Sequence, residues 1–180
     1  MTRGLCRASG RSFGLLYHAQ TQDRAVKRAP VGASVPSSQC TSPTRELLAA
    51  FNDRQAPARL FGLTGDTGAV RLPAFTRVAA YQSQDGQIEL DALAEGPAPW
   101  LVEVKWRNRP VSRADLEGFA QKTRIVVERL KLANAPTLWV VSGGGFKASA
   151  LAYAAEAGIL VSAAQDMQEL AELLGVRFGK

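Results

Sequence analysis

Histidine and cysteine are almost missing from this chain. Its 180 residues hold one histidine, His18, and two cysteines, Cys6 and Cys40, all in the N-terminal quarter. A tetrahedral zinc site needs about four ligands at short paired spacings, and these three residues do not supply them. A Ser-His-Asp or Cys-His arrangement would have to borrow His18 from that same quarter. Two distant cysteines make no disulfide framework. No apolar run reaches the roughly 18 residues of a membrane span, so a membrane partner is not expected. The body of the protein has to work with carboxylates, lysine, arginine and backbone groups.

What is present is an ordinary globular composition, 46% hydrophobic and 21% charged, at a length that suits one domain with a tail. The net charge of +6 is unevenly spread. Residues 1–44 carry six basic residues (Arg3, Arg7, Arg11, Arg24, Lys27, Arg28) against Asp23, whereas residues 45–180 carry 16 basic and 15 acidic ones. The first segment lacks an apolar period and is punctuated by Pro30, Pro36 and Pro43. It reads as a disordered basic tail or an over-extended start, with a transit-like segment and a phosphate-binding arm as the alternatives. A cytoplasmic location is expected unless the transit-like reading holds.

In residues 45–180, Leu47, Leu48 and Phe51 have helical spacing after Pro43. A strand is expected near 75–81, and Asp85-Gly86 signals a hairpin. Ile88, Leu90 and Ala92 alternate with Glu89, Asp91 and Leu93, which predicts a second strand. Residues 95–99 form a turn, and Trp100 to Trp106 a third strand, with Val102, Val104 and Trp106 on one face and Leu101, Glu103 and Lys105 on the other. A helix over 112–133 starts at an N-cap Ser112 with Asp115 at N3, an approximate capping box. Leu116, Phe119, Ala120, Thr123, Val126, Val127 and Leu130 form its core stripe. A strand at 137–141, a Gly143-Gly144-Gly145 turn, a helix at 146–157, a strand at 159–162 and a helix at 166–174 complete a mixed sheet flanked by helices. Trp100, Trp106 and Trp139 are expected in the core.

The chemistry centres on the second hairpin. Asp91 and Glu103 are equidistant from Pro97, so a symmetric hairpin sets them opposite each other, with Cβ atoms roughly 5 Å apart. The same arithmetic sets Glu89 opposite Lys105. Facing carboxylates repel, and a divalent cation between them relieves that cost. Hard oxygen ligands at this separation suit Mg²⁺, and a lysine alongside can serve a metal-bound water. The alternative for such a strand is a solvated face with weak ion pairs. Arg107, Arg109 and Arg113, in the loop and helix start beside this hairpin, are candidates for phosphate contact. Lys122 joins them as a candidate, with a solvated helix face as its alternative. The Gly143–Gly145 turn lacks the G-K-[ST] of a phosphate loop and the G-x-G-x-x-G of a dinucleotide site.

The stretch IELDALAEGPAPWLVEVKW, with D-x(11)-E-V-K at a hairpin before a long helix, resembles the PD-(D/E)XK nuclease superfamily. LWVVSGGGFKASALAYAAEAGILVSAAQDMQEL is similar to the second half of Mrr-like restriction endonuclease domains. The resemblance covers roughly residues 75–174. It implies an α/β restriction-endonuclease-like core that hydrolyses phosphodiesters, in DNA by first expectation, with Mg²⁺ or in its place Mn²⁺. It also implies that Asp91 and Glu103 bind metal with the Val104 carbonyl, and that Lys105 serves the attacking water. Relatives often carry a first-helix acid, for which Glu46 is the obvious candidate, and a polar residue on the helix after the motif, where Gln121 stands. Leu90 replaces a common proline, and no tyrosine stands four residues beyond Gln121. A homodimer would provide the two active sites that cutting both strands usually needs. The rival reading is a nuclease-fold module with weak or lost catalysis that binds DNA or a protein partner.

Overall fold

The computed structural model describes residues 42–63 and 68–177. Residues 1–41, with Cys6, His18, Cys40 and each reading of the basic tail, lie outside the described residues. The folded body reaches back past the boundary expected at 44/45. Helix α1 (Pro43–Ala49) begins on Pro43, and Ser42 and Thr44 are buried.

After α1 come β1 (Arg54–Pro57), a 3-10 turn (Ala58–Phe61) and β2 (Ala69–Leu72). Then follow β3 (Arg77–Gln82), β4 (Glu89–Glu95), β5 (Trp100–Lys105), α2 (Arg113–Leu130), β6 (Thr137–Ser142), α3 (Ala148–Ala157), β7 (Ile159–Ala163) and α4 (Ala164–Leu174). The five strands β3 to β7 lie side by side in sequence order. Neighbours are antiparallel from β3 to β5 and parallel from β5 to β7. Two-residue turns can join the antiparallel strands, but parallel neighbours need a crossover. Helices α2 and α3 are those crossovers. The protein is therefore mixed α/β, with a central mixed sheet and helices on its faces.

Each face of the sheet has its own core. On one side Leu47, Leu48, Phe61, Met167 and Leu170 pack on Ala92, Ala94, Trp100, Val102, Val104, Trp139 and Val141. Rings stack edge-on there, with Phe51–Trp100 centroids 5.3 Å apart and Trp100–Trp139 5.7 Å. On the other side Leu116, Phe119 and Val126 of α2 and Ala150 and Ala154 of α3 pack on Leu90, Leu93, Leu101, Val140 and Val161. Trp100 and Trp139 are core residues as expected, and Trp106 packs at the edge of the first core.

Helix α2 begins at its expected cap. Ser112 Oγ accepts from the Asp115 backbone N–H at 3.3 Å, and Asp115 Oδ2 accepts from the Ser112 N–H at 2.8 Å. The stripe Leu116, Phe119, Thr123 and Val126 is buried, but Leu130 is 39% exposed. It lines an open groove beside β3. Helix α3 starts two residues later than expected. Phe146 is held extended in a parallel bridge to Val111, with the Lys147 N–H donating to the Val111 carbonyl at 2.9 Å.

The β1–β2 ribbon was not expected as a pair. Its strands are only four residues long, and each buries a single residue, Ala56 and Leu72, which is too short a pattern to mark a strand pair. Gly62 beside it has φ 73, and a Cβ there would lie 2.3 Å from Val161 Cγ2. The 3-10 turn can reach β7 because that position has no side chain. The contact is locked by Ser162, whose hydroxyl donates to the Leu60 carbonyl at 2.6 Å and accepts from Trp139 Nε1 at 2.9 Å. Ser162→Ala strands a buried indole N–H and a buried carbonyl. It should cost about 1–3 kcal/mol of unfolding free energy, measurable by urea denaturation followed through tryptophan fluorescence.

Candidate active site

The β4–β5 register is the one expected from symmetry about Pro97. Ala92 faces Val102, Leu93 faces Leu101 and Ala94 faces Trp100. Asp91 and Glu103 would be the next pair, but the paired register ends at Ala92. The reason lies on the other edge of β4. Ala79 of β3 pairs with Leu93, and Tyr81 pairs with Leu90, so two steps on β3 match three on β4. That extra residue is a β-bulge around Asp91-Ala92. It breaks the alternation read from the sequence. Leu90 joins the α2 side of the sheet together with Leu93, and Ala92 goes to the other side.

The bulge redirects the Asp91 carboxylate into the ladder. Its Oδ2 accepts from the Val104 backbone N–H at 2.8 Å, filling the place that a β4 carbonyl would occupy in a regular pair. A residue's N–H and C=O project to the same side of a strand. The Val104 carbonyl therefore faces the same opening between β4 and β5.

Glu103 lies on the Leu101 side of β5, under α2, and its side chain is 7% exposed. The solvated-face alternative is thereby overturned: β5 is the middle strand and both its sides are covered. A buried carboxylate needs charged partners. Glu103 has two. Lys105 Nζ lies 2.5 Å from Oε1, and Lys122 Nζ lies 2.7 Å from Oε2. Lys122 also donates to the Glu89 backbone carbonyl at 2.9 Å. One ammonium from α2 thus spans β4 and β5 where the two separate.

The other expected site residues are placed as follows. Glu89 does not face Lys105; the bulge shifts it, and it pairs with Gln82 of β3 while its side chain is exposed. Glu46 is half-buried on α1, which packs on the opposite side of the sheet from Glu103. Among the described residues no group of three or more His, Cys, Asp or Glu side chains could hold a metal ion. Gln121 is exposed. Successive helical residues point about 100° apart, so Lys122, and not Gln121, reaches over the strand. Lys122 is accordingly a partner of Glu103 and no solvated helix residue. The periodicity offered a signal for it, since Lys122 lies three residues after Phe119 on the core-facing edge of the helix.

The basic loop is organised by Asp115, which the sequence reading used only as a cap. Arg107 Nη2 lies 2.7 Å from Asp115 Oδ1, and Arg109 Nη2 lies 3.8 Å from it. Arg107 Nε is buried with no hydrogen-bond partner among the described residues. Arg107 is an anchor for this loop, whereas Arg109 and Arg113 have side chains 66% and 55% exposed. Arg113 pairs with Glu117 at 2.7 Å and lies 5.1 Å over the Tyr153 ring. The loop packs tightly on the turn after β6: a Cβ at Gly144 would lie 2.6 Å from the Arg107 carbonyl.

The hairpin carries oxygen donors of the type that hard divalent cations take, and both Glu103 oxygens are held by ammoniums. Asp91, Glu103 and the Val104 carbonyl offer oxygen ligands, and Mg²⁺ commonly takes one or two carboxylates and keeps several waters. Among the described residues no helix is long and apolar enough to cross a membrane. Comparison of the chain with protein-family models, with curated proteins and with solved structures finds no match.

Burial by itself would raise the Asp115 carboxyl, but the Arg107 guanidinium paired with it and the hydrogen bonds from Ser112 outweigh that and hold the group well below the usual carboxylate range. A lowered folded value adds stability above the unfolded value and loses it as pH falls through the folded one. Asp115→Asn keeps a cap acceptor and removes the charge. Its destabilisation should be constant above about pH 5 and should shrink steadily below about pH 4. Urea midpoints of both proteins across that range test this.

Proposed function

We propose that this protein is a Mg²⁺-dependent nuclease that hydrolyses DNA phosphodiester bonds on a restriction-endonuclease-like core. The observation that carries the reading is the hairpin itself. Asp91 and Glu103 belong to the adjoining strands β4 and β5 one step beyond their last paired residues, Asp91 accepts from the Val104 N–H, and Lys105 sits against Glu103. Asp91, Glu103 and the Val104 carbonyl would hold the cation. When bound, Mg²⁺ supplies Lewis-acid polarisation and a water of lowered pKa. Lys105 orients the attacking water and offsets charge that builds on the phosphate oxygens. Arg109 and Arg113, the exposed members of the basic loop, position the backbone through its phosphates. Arg107, paired with Asp115, holds the loop in place.

One observation favours a second reading, a DNA-binding module with weak or lost catalysis. Both Glu103 oxygens are already neutralised by lysines, and no third acid joins the pair among the described residues. The two readings diverge in solution. The nuclease should nick or cut plasmid DNA with Mg²⁺ or Mn²⁺, and Asp91→Ala and Lys105→Ala should each lose about 10²-fold or more in rate. Cleavage by those variants at wild-type rates rejects the site. DNA binding with a steep salt slope and no metal-dependent cleavage selects the binding module.

A further inference from the structure

Lys122 has no role in the reading above, yet it makes two long-range polar contacts at the site. Its ammonium is held by Glu103 Oε2 at 2.7 Å and by the Glu89 carbonyl at 2.9 Å. With Lys105 on Oε1, both oxygens of the buried Glu103 carboxylate are held by ammoniums. A divalent cation approaching Glu103 meets these two positive charges at close range. It can engage Glu103 well only if one ammonium withdraws. Lys105 is tied to the same strand two residues on. Lys122 comes from α2 and has a second acceptor, so it can leave the carboxylate and keep a hydrogen bond to the Glu89 carbonyl.

We propose that Lys122 is a built-in counter-ion that occupies Glu103 until a divalent cation displaces it, and that this competition sets the cation affinity of the site. The proposal rests on the reading of Asp91 and Glu103 as cation ligands. Without a cation, Lys122 keeps the buried carboxylate compensated, and the hairpin stays docked to α2. With a cation, it becomes a positioning residue at the mouth of the site, released toward the side where a phosphate would approach.

The test needs no DNA. Mn²⁺ and Mg²⁺ are titrated by calorimetry into the full chain, into Lys122→Met, Lys122→Gln and Lys122→Arg, and into Asp91→Asn. Lys122→Gln retains a donor for the Glu89 carbonyl should the methionine variant fold poorly. Loss of a like charge a few ångströms from the incoming ion should tighten cation binding about tenfold in Lys122→Met and Lys122→Gln. Lys122→Arg should stay near wild type. Thermal melting should show the neutral variants less stable than wild type in chelator, with the gap closing in excess Mg²⁺, because the cation stabilises the state that binds it. Wild-type binding that Asp91→Asn abolishes but that the neutral variants leave unchanged or weakened overturns the counter-ion and spares the metal site. Absence of cation binding in every protein overturns both.

Discussion

A carboxylate on the middle strand of a sheet, covered by a helix, has to be compensated or it destabilises the fold. Glu103 is that carboxylate, and much of the local architecture answers to it. Lys105 reaches it along β5 and Lys122 reaches it from α2, so its charge is matched on both oxygens. Replacing such a cluster with apolar groups is often neutral or stabilising in other proteins. Removing one partner alone is costly, because it leaves a buried charge uncompensated. The helix that supplies Lys122 is itself oriented by the Ser112–Asp115 box, and Asp115 in turn holds Arg107 and the loop after β5.

The second constraint is the bulge in β4. A regular antiparallel pair would bury Asp91 and Glu103 side by side with only each other for company. The extra residue instead turns Asp91 toward the Val104 N–H and ends the paired register. The two strands then separate where their charged residues lie. Bulges recur beside active sites because they re-aim a side chain at small cost to the rest of the ladder. Here the same extra residue also sends both Leu90 and Leu93 into the core under α2.

The order of elements from β3 to α4 was legible because each is marked locally. Asp85-Gly86 and the 96–99 turn bracket β4, a capping box opens α2, and an apolar run gives β6. The hairpin register was legible for the same reason, since a short turn centred on Pro97 leaves little freedom in pairing. The β1–β2 ribbon was not, because two four-residue strands that each bury one residue are too short to mark a pair. Nor was the place of Glu89, which depends on a bulge that no residue type at 91 or 92 announces.

From the sequence alone came the mixed α/β class, the core stripes and the pairing arithmetic of the hairpin as far as Ala92 and Val102. These rest on local rules: a period of two or of 3.6, a turn length, a cap. Tertiary structure decided which charges meet. Lys122 stands 19 residues from Glu103, and Gln121 beside it is turned away. That choice follows from how the crossover helix lies on the sheet. The helix is set down by Leu116, Phe119 and Val126 packing on Leu101 and Val140, contacts that only the assembled fold brings together.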